Sequence, residues 1–208
     1  MTRVPVLTPD EVRAVEKRAA AGGASLMARA GKACAELARR MAADNGDPIL
    51  VVAGPGNNGG DAWVAAADLA ETFHRVVVFD VTGGVPKAEE ARAARERFTA
   101  RGGKVVRAWP VALQPALLLD GLLGLGLARD VDAPFSEIIA RMNASGRPIL
   151  AIDVPSGLDS GSGRVRGEAV RATRTLTFLA HKVGLHTADG LDCRVFRDRR
   201  EAMLWLGL

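Results

Sequence analysis

Six short apolar runs decide what this chain can fold into: PILVVAG (48–54), RVVVFDV (75–81), KVVRAW (104–109), ALLLDGLLG (116–124), PILAIDV (148–154) and TLTFLA (175–180). They are nearly continuous in apolar residues, which suits strands covered on both faces, as in a parallel sheet. Helical patterns at about 61–73, 87–101 and 134–145 lie between them. This βαβα alternation predicts an α/β fold: a three-layer αβα, Rossmann-like sandwich with a mostly parallel, doubly wound sheet.

Two helices are expected before the first run. TPDE at 8–11 is a capping box with proline at the first helical position, Thr8 capping while Glu11 reaches back. The first helix should run to about Ala20. SLMARAGKACAELARRMAADN has apolar residues at three- and four-residue spacing and stops at Asn45-Gly46.

The 208 residues, 48% hydrophobic and 25% charged, have ordinary globular proportions, so residues 1–208 are expected to form one domain with a continuous core. No apolar run approaches the roughly 20 residues needed to span a bilayer. MTRVPVLTPDEVRAVEKRAA also lacks the apolar centre of a signal peptide, so a cytoplasmic, membrane-free protein is expected. The net charge of +4 is mostly spread over mixed segments such as EEARAARERF. The denser RVFRDRREAM (194–203) reads as surface, and nucleic acid is not an expected partner. Cys34 and Cys193 stand apart, with no CxxC and only three histidines, which excludes a zinc or disulfide framework. Both read as buried small hydrophobes.

In such folds ligands bind beyond the carboxyl ends of the strands. Three strand ends are rich in chemistry. GPGNNGGD (54–61) matches G-x-G-x-x-G through Gly54, Gly56 and Gly59, and Asp80 falls about 20 residues on, where a dinucleotide-binding dehydrogenase places its ribose-binding acid. Against a dehydrogenase, Asp61 is expected to open the following helix, where a pyrophosphate would not tolerate it. Asn57 and Asn58 suit ring hydroxyls, amides or a cation, and no second domain is evident. DGLLGLGLARD (120–130) puts Asp120 at the end of an apolar strand, where a carboxylate must be paired, hydrogen-bonded or metal-bound. DVPSG (153–157) repeats the arrangement with Asp153 and Ser156. The side-chain oxygens of Asn58, Asp120 and Ser156 could converge on a hard cation, and with one carboxylate among them a monovalent ion is the better match.

GPGNNGGD (54–61), DGLLGLGLARD (120–130), AIDVPSGLDSGSG (151–163) and TLTFLAHKVGL (175–185), with SLMARAG (25–31), resemble in order and spacing the NAD(P)H-hydrate epimerases, the YjeF N-terminal domain family. The resemblance covers about residues 8–186. It implies an isomerase of nicotinamide nucleotide repair, interconverting the R and S forms of hydrated NADH or NADPH (NAD(P)HX), which is then substrate rather than cofactor. It further implies that Asn57, Asn58, Gly59, Gly60, Asp61, Gly124, Leu125, Gly126, Leu127, Ala128, Arg129, Asp130 and Asp153 contact the hydrate, and that Asp153 is the general acid/base. Asn58, Asp120 and Ser156 would bind one potassium ion per subunit. A homodimer is implied, with an ATP- or ADP-dependent NAD(P)H-hydrate dehydratase as functional partner, separate or fused in a longer chain. Ala62 and Trp63 after GGD, Leu125 in place of a small or hydroxyl residue, and Val183 in place of the proline of K-P-G depart from the family pattern and bear on the pocket's shape. An NAD(P)-dependent oxidoreductase and a non-catalytic scaffold on the same fold remain as alternatives.

Overall fold

The computed structural model describes residues 5–188 other than 24, 43–45, 73 and 128; Ala128, Cys193 and the basic segment 194–203 therefore lie outside the described residues. In chain order the elements are β1 (Val6–Leu7), α1 (Pro9–Ala21), α2 (Leu26–Met41), β2 (Ile49–Ala53), α3 (Asn57–Glu71), β3 (Val76–Asp80), α4 (Glu89–Ala100), β4 (Lys104–Val106), β5 (Leu117–Gly121), α5 (Phe135–Ala144), β6 (Ile149–Ile152), β7 (Arg174–Leu176), β8 (His181–Lys182) and α6 (Val183–Thr187).

Every expected apolar run contains a strand, and β2 to β7 form one parallel sheet in the order β4-β3-β2-β5-β6-β7. The order reverses between β2 and β5, which is the switch point of a doubly wound sheet. Successive residues of the central strands point to opposite faces, and both faces are covered. Ile49, Val51, Leu117 and Leu119 join the cluster under α2, α3 and α4. Leu50, Val52, Leu118 and Ala151 join the one under α5.

Local signals explain the helix starts. At α1, Thr8 accepts from the Glu11 amide while the Glu11 carboxylate accepts from the Thr8 amide, the expected capping box. Ser25 makes no cap of its own for α2; Glu90 of α4 supplies it, accepting from Ser25 Oγ and the Ala28 amide. The α3 boundary corrects the sequence-based expectation. The helix starts at Asn57 behind Gly56, so Asp61 sits one turn inside it and does not open it. The run at 175–180 is also shorter as a strand than expected. After Leu176 the chain turns away and forms β8, which pairs with β1 in a second, two-stranded sheet. Among the described residues no helix is long and apolar enough to cross a membrane.

At the switch point backbone meets backbone. A Cβ on Gly54 would lie 1.8 Å from the Leu122 carbonyl oxygen, and one on Gly59 would lie 1.9 Å from the Gly54 carbonyl oxygen. A side chain at Gly126 would meet nothing within 4 Å. Gly59→Ala is therefore expected to destabilise the protein by about 2 kcal/mol or more, the range of core overpacking, while Gly126→Ala leaves stability nearly unchanged. Urea unfolding of both variants checks this; equal stabilities would remove the packing argument.

Candidate active site

A cavity of about 1000 Å³ opens over the switch point. Its lining brings together Asn57, Asn58 and Asp61 of α3, the loop residues Gly124, Leu125, Gly126, Leu127, Arg129 and Asp130, and Asp153 beyond β6. Residues expected to act there but absent from the lining are equally informative. Gly59 and Gly60 are buried, Gly59 against Gly54 and Gly60 against Met27. Asp120 and Ser156 lie beneath the cavity, 0% and 1% exposed.

Asp120 and Ser156 hold the floor together. Ser156 Oγ donates to Asp120 Oδ1 at 2.6 Å, and the Ser156 amide donates to Asp120 Oδ2 at 2.8 Å. The Leu122 amide adds a 3.2 Å bond to Oδ1. Burial outweighs these bonds and pushes the Asp120 carboxyl up to about 6. The Leu123 amide donates to Ser156 Oγ, and the Leu123 carbonyl accepts from Asn58 Nδ2 at 2.7 Å. Asn58 at the start of α3, Asp120 in β5 and Ser156 in the turn after β6 thus form one network joined through Leu123. Asn58 Oδ1 is buried in it without a hydrogen-bond partner.

Asp153 adopts φ 64°, in the left-handed region that non-glycine residues seldom occupy. Its amide bonds to the Leu176 carbonyl, which holds the turn, and strain of this kind gathers at functional sites. Three donors reach a single carboxylate oxygen, Oδ1: the Phe178 amide at 3.1 Å, Thr177 Oγ1 at 3.2 Å and Lys182 Nζ. No donor among the described residues is bonded to Oδ2. Lys182 is 0% exposed, and its other two ammonium bonds go to Thr177 Oγ1 and the Phe178 carbonyl, both at 2.8 Å. An ammonium has three donors, and all are used on protein acceptors.

Sequence reasoning assigned no role to Lys182, Thr177 or the first helix. Arg13, Glu16 and Lys17 of α1 line one side of the cavity, and Arg13 donates to the Leu125 carbonyl at 3.2 Å. Glu16 is pushed up chiefly by burial and then by the charge of Asp153, with Lys182 and Arg13 pulling the other way. The HKVG motif was the available signal for Lys182, a lysine at the end of an apolar run.

The departures from the family pattern fall mostly outside the cavity. Ala62 packs where residue 121 is glycine, a Cβ there lying 2.5 Å from that of Ala62. Trp63 is buried edge-on against Phe98 with Arg95 over its ring. Val183 is the first residue of α6, a position that accepts proline as readily as valine. Leu125 does line the cavity. Asp80, the acid a dehydrogenase would use on ribose, does not: its Oδ1 accepts from the Gly83 amide and its Oδ2 pairs with Arg95.

Residues 23–184 match the family model described as YjeF-related protein N-terminus. The chain is 45% identical over 175 residues to the NAD(P)H-hydrate epimerase of Bordetella pertussis, covering 82% of this chain and 75% of that one. It is 38% identical over 177 residues to the enzyme of that name from Achromobacter xylosoxidans, covering 84% of each. It is 36% identical over 170 residues to the bifunctional NAD(P)H-hydrate repair enzyme Nnr of Escherichia coli, covering 80% of this chain and 32% of that protein. The crystal structure of yeast ynu0, YNL200c, superposes with a TM-score of 0.77 over 87% of this chain and 83% of that one, at 21% identity, a likeness of fold.

Removing one partner of a buried ion pair leaves the other charge uncompensated, at a cost of about 3–5 kcal/mol. Lys182→Met is expected to destabilise the protein by about 3 kcal/mol, and by much less when Asp153 is already Asn. A double-mutant cycle by urea unfolding reads the coupling; additive effects would contradict the pairing.

Proposed function

The chain belongs to the family of YjeF-related protein N-termini, and we infer that it is an NAD(P)H-hydrate epimerase, an isomerase of nicotinamide nucleotide repair. It interconverts the R and S forms of hydrated NADH and NADPH. What supports a site for this reaction is one observation: the GPGNNGGD, DGLLGLGLARD and DVPSG segments meet at one cavity, and Asp153 enters it with one oxygen held and the other unbonded.

The hydrated carbon carries a hydroxyl and is bonded to the ring nitrogen. When the hydroxyl is protonated it leaves as water, and the nitrogen lone pair forms an iminium ion. Water then adds to the opposite face and loses a proton, which inverts the centre with no net change in protons. Asp153 is the proposed general acid/base. Its carboxylate would also stabilise the iminium cation, with Lys182, Thr177 and the Phe178 amide fixing Oδ1 so that Oδ2 acts. The α3 amides of Asn57, Asn58 and Gly59 precede the first intrahelical bond, from Gly60 to Gly56, and suit the nucleotide's phosphates. Residues 57–61 and 124–130 are the proposed substrate contacts. Gly59 and Gly60 can contribute only backbone, since both are packed against protein.

The floor network fits potassium. An unpartnered buried carbonyl oxygen costs about 1–3 kcal/mol, and Asn58 Oδ1 is one. The remaining donors are the Leu123 carbonyl, the Ser156 hydroxyl and the Asp120 carboxylate, an all-oxygen set with a single formal charge. Asn58, Asp120 and Ser156 would hold the ion, joined by the Leu123 carbonyl that the sequence could not reveal. When bound, the ion supplies a fixed positive charge beneath the cavity. Cytoplasmic location, a homodimer and a dehydratase that consumes the S form belong to the same proposal.

Asp153→Asn is expected to abolish interconversion, read by chromatographic separation of the R and S hydrates, with its circular dichroism unchanged. Near-wild-type equilibration would sink the assignment. Potassium is expected to raise the melting temperature over an equal concentration of choline chloride in the wild type and not in Asn58→Ala. Identical melting in the two salts would remove the ion from this site.

A further inference from the structure

Inversion sets a demand that a single carboxyl meets poorly. Water leaves one face of the nicotinamide ring and returns to the other, so proton donor and proton acceptor are needed on opposite faces. Asp153 with its ammonium partner suits one of them. Of the other carboxyls that line the cavity, Asp61 is the one on the α3 face beside Asn57 and Asn58, and its character differs from that of Asp153.

Asp61 follows Asn57 by one helical turn, so both occupy the face of α3 that lines the cavity. No described side chain or backbone amide hydrogen-bonds to its carboxyl or forms an ion pair with it. The contrast with Asp153 is sharp, since there three donors converge on one oxygen. Around Asp61 stand Glu16 of α1, Glu90 of α4 and Asp153, with Lys182 the one opposing charge that acts on it. Burial, ahead of the like charges of Asp153, Glu16 and Glu90, pushes its carboxyl well above the usual carboxylate range. Two carboxyls in one cavity with opposed surroundings divide acid from base.

Building on the epimerase assignment, we propose that Asp61 is a second catalytic residue, the proton donor to the departing hydroxyl on the ring face opposite Asp153. In one direction the Asp61 carboxyl gives its proton to the hydroxyl, the C–O bond breaks with its electron pair going to oxygen, and water departs. The ring nitrogen lone pair forms the C=N bond of the iminium. A second water forms a new C–O bond on the Asp153 side and passes its extra proton to that carboxylate. The proton has then moved from Asp61 to Asp153, and exchange with solvent in the cavity resets both groups. The reverse reaction uses them with roles exchanged, so loss of either slows both directions equally.

The test is Asp61→Asn beside the wild type, with interconversion followed from each pure epimer. The expected result is a fall in kcat of about 100-fold or more in both directions, within the range of lost acid–base catalysis. Affinity for the hydrate, by calorimetry, should stay within about threefold, and the melting temperature should hold or rise, because a half-buried carboxyl set among like charges is gone. The wild type reads the same group independently: its kcat falls as pH rises past the raised Asp61 carboxyl, and Asp61→Glu, which keeps the carboxyl, retains activity and shifts that limb. A kcat for Asp61→Asn within tenfold of wild type, or a loss confined to affinity, would overturn the inference while leaving the epimerase assignment intact. A wild type that does not interconvert the epimers would instead overturn the assignment, and the role of Asp61 with it.

Discussion

The two halves of the sheet meet at Gly54, where the Leu122 carbonyl occupies the space a side chain would need. That contact brings the end of β2 against the end of β5 and fixes the start of α3 over Leu123. From there the rest of the floor follows. Asn58 reaches the Leu123 carbonyl, Ser156 takes the Leu123 amide, and Asp120 binds Ser156 twice. Asp153 is three residues before Ser156, so its place beside the cavity depends on the same contact. The first and last glycines of the dinucleotide-type fingerprint therefore serve backbone packing within the chain before any ligand arrives. Gly56 alone among the three faces open space.

Electrostatically the site is built from contrasts. The Asp120 carboxylate is enclosed and fully hydrogen-bonded, which suits a structural or cation-holding part. Asp153 is paired with a lysine that has no exposure at all. Asp61 is unpaired among like charges. Three aspartates of one residue type thus have three environments, and environment rather than residue type assigns their tasks. The helix α1 closes the cavity from the side, carrying Arg13, Glu16 and Lys17, so the N-terminal capping box has a consequence for the site as well as for the helix.

Much of this was legible in the sequence. Continuous apolar runs located the strands of the main sheet, most clearly the central β2, β3, β5 and β6, because strands buried on both faces cannot alternate. The segments at and after the strand ends singled out Asn58, Asp120 and Ser156 through cost of burial and oxygen chemistry, whereas substrate contact for Asn57 and Asp61 and the acid/base role of Asp153 came only with the family resemblance. The start of α3 was misplaced because a Gly-Gly pair within the first turn looks like loop, although tight packing against Gly54 and Met27 keeps it helical. Strands β1 and β8 have two residues each and no periodicity to read. Lys182 was passed over because a lone lysine near a strand gives no sign that it will be buried against Asp153. The Leu123 carbonyl was invisible for a simpler reason, since backbone atoms carry no residue signature.

The central claim is that the cavity inverts its substrate by breaking and remaking a carbon–oxygen bond. Epimerisation in water enriched in oxygen-18, followed by mass spectrometry of the hydrate, tests it directly. The account predicts that the ring hydroxyl takes up solvent oxygen at least as fast as R and S interconvert. Interconversion that retains the original oxygen would contradict it.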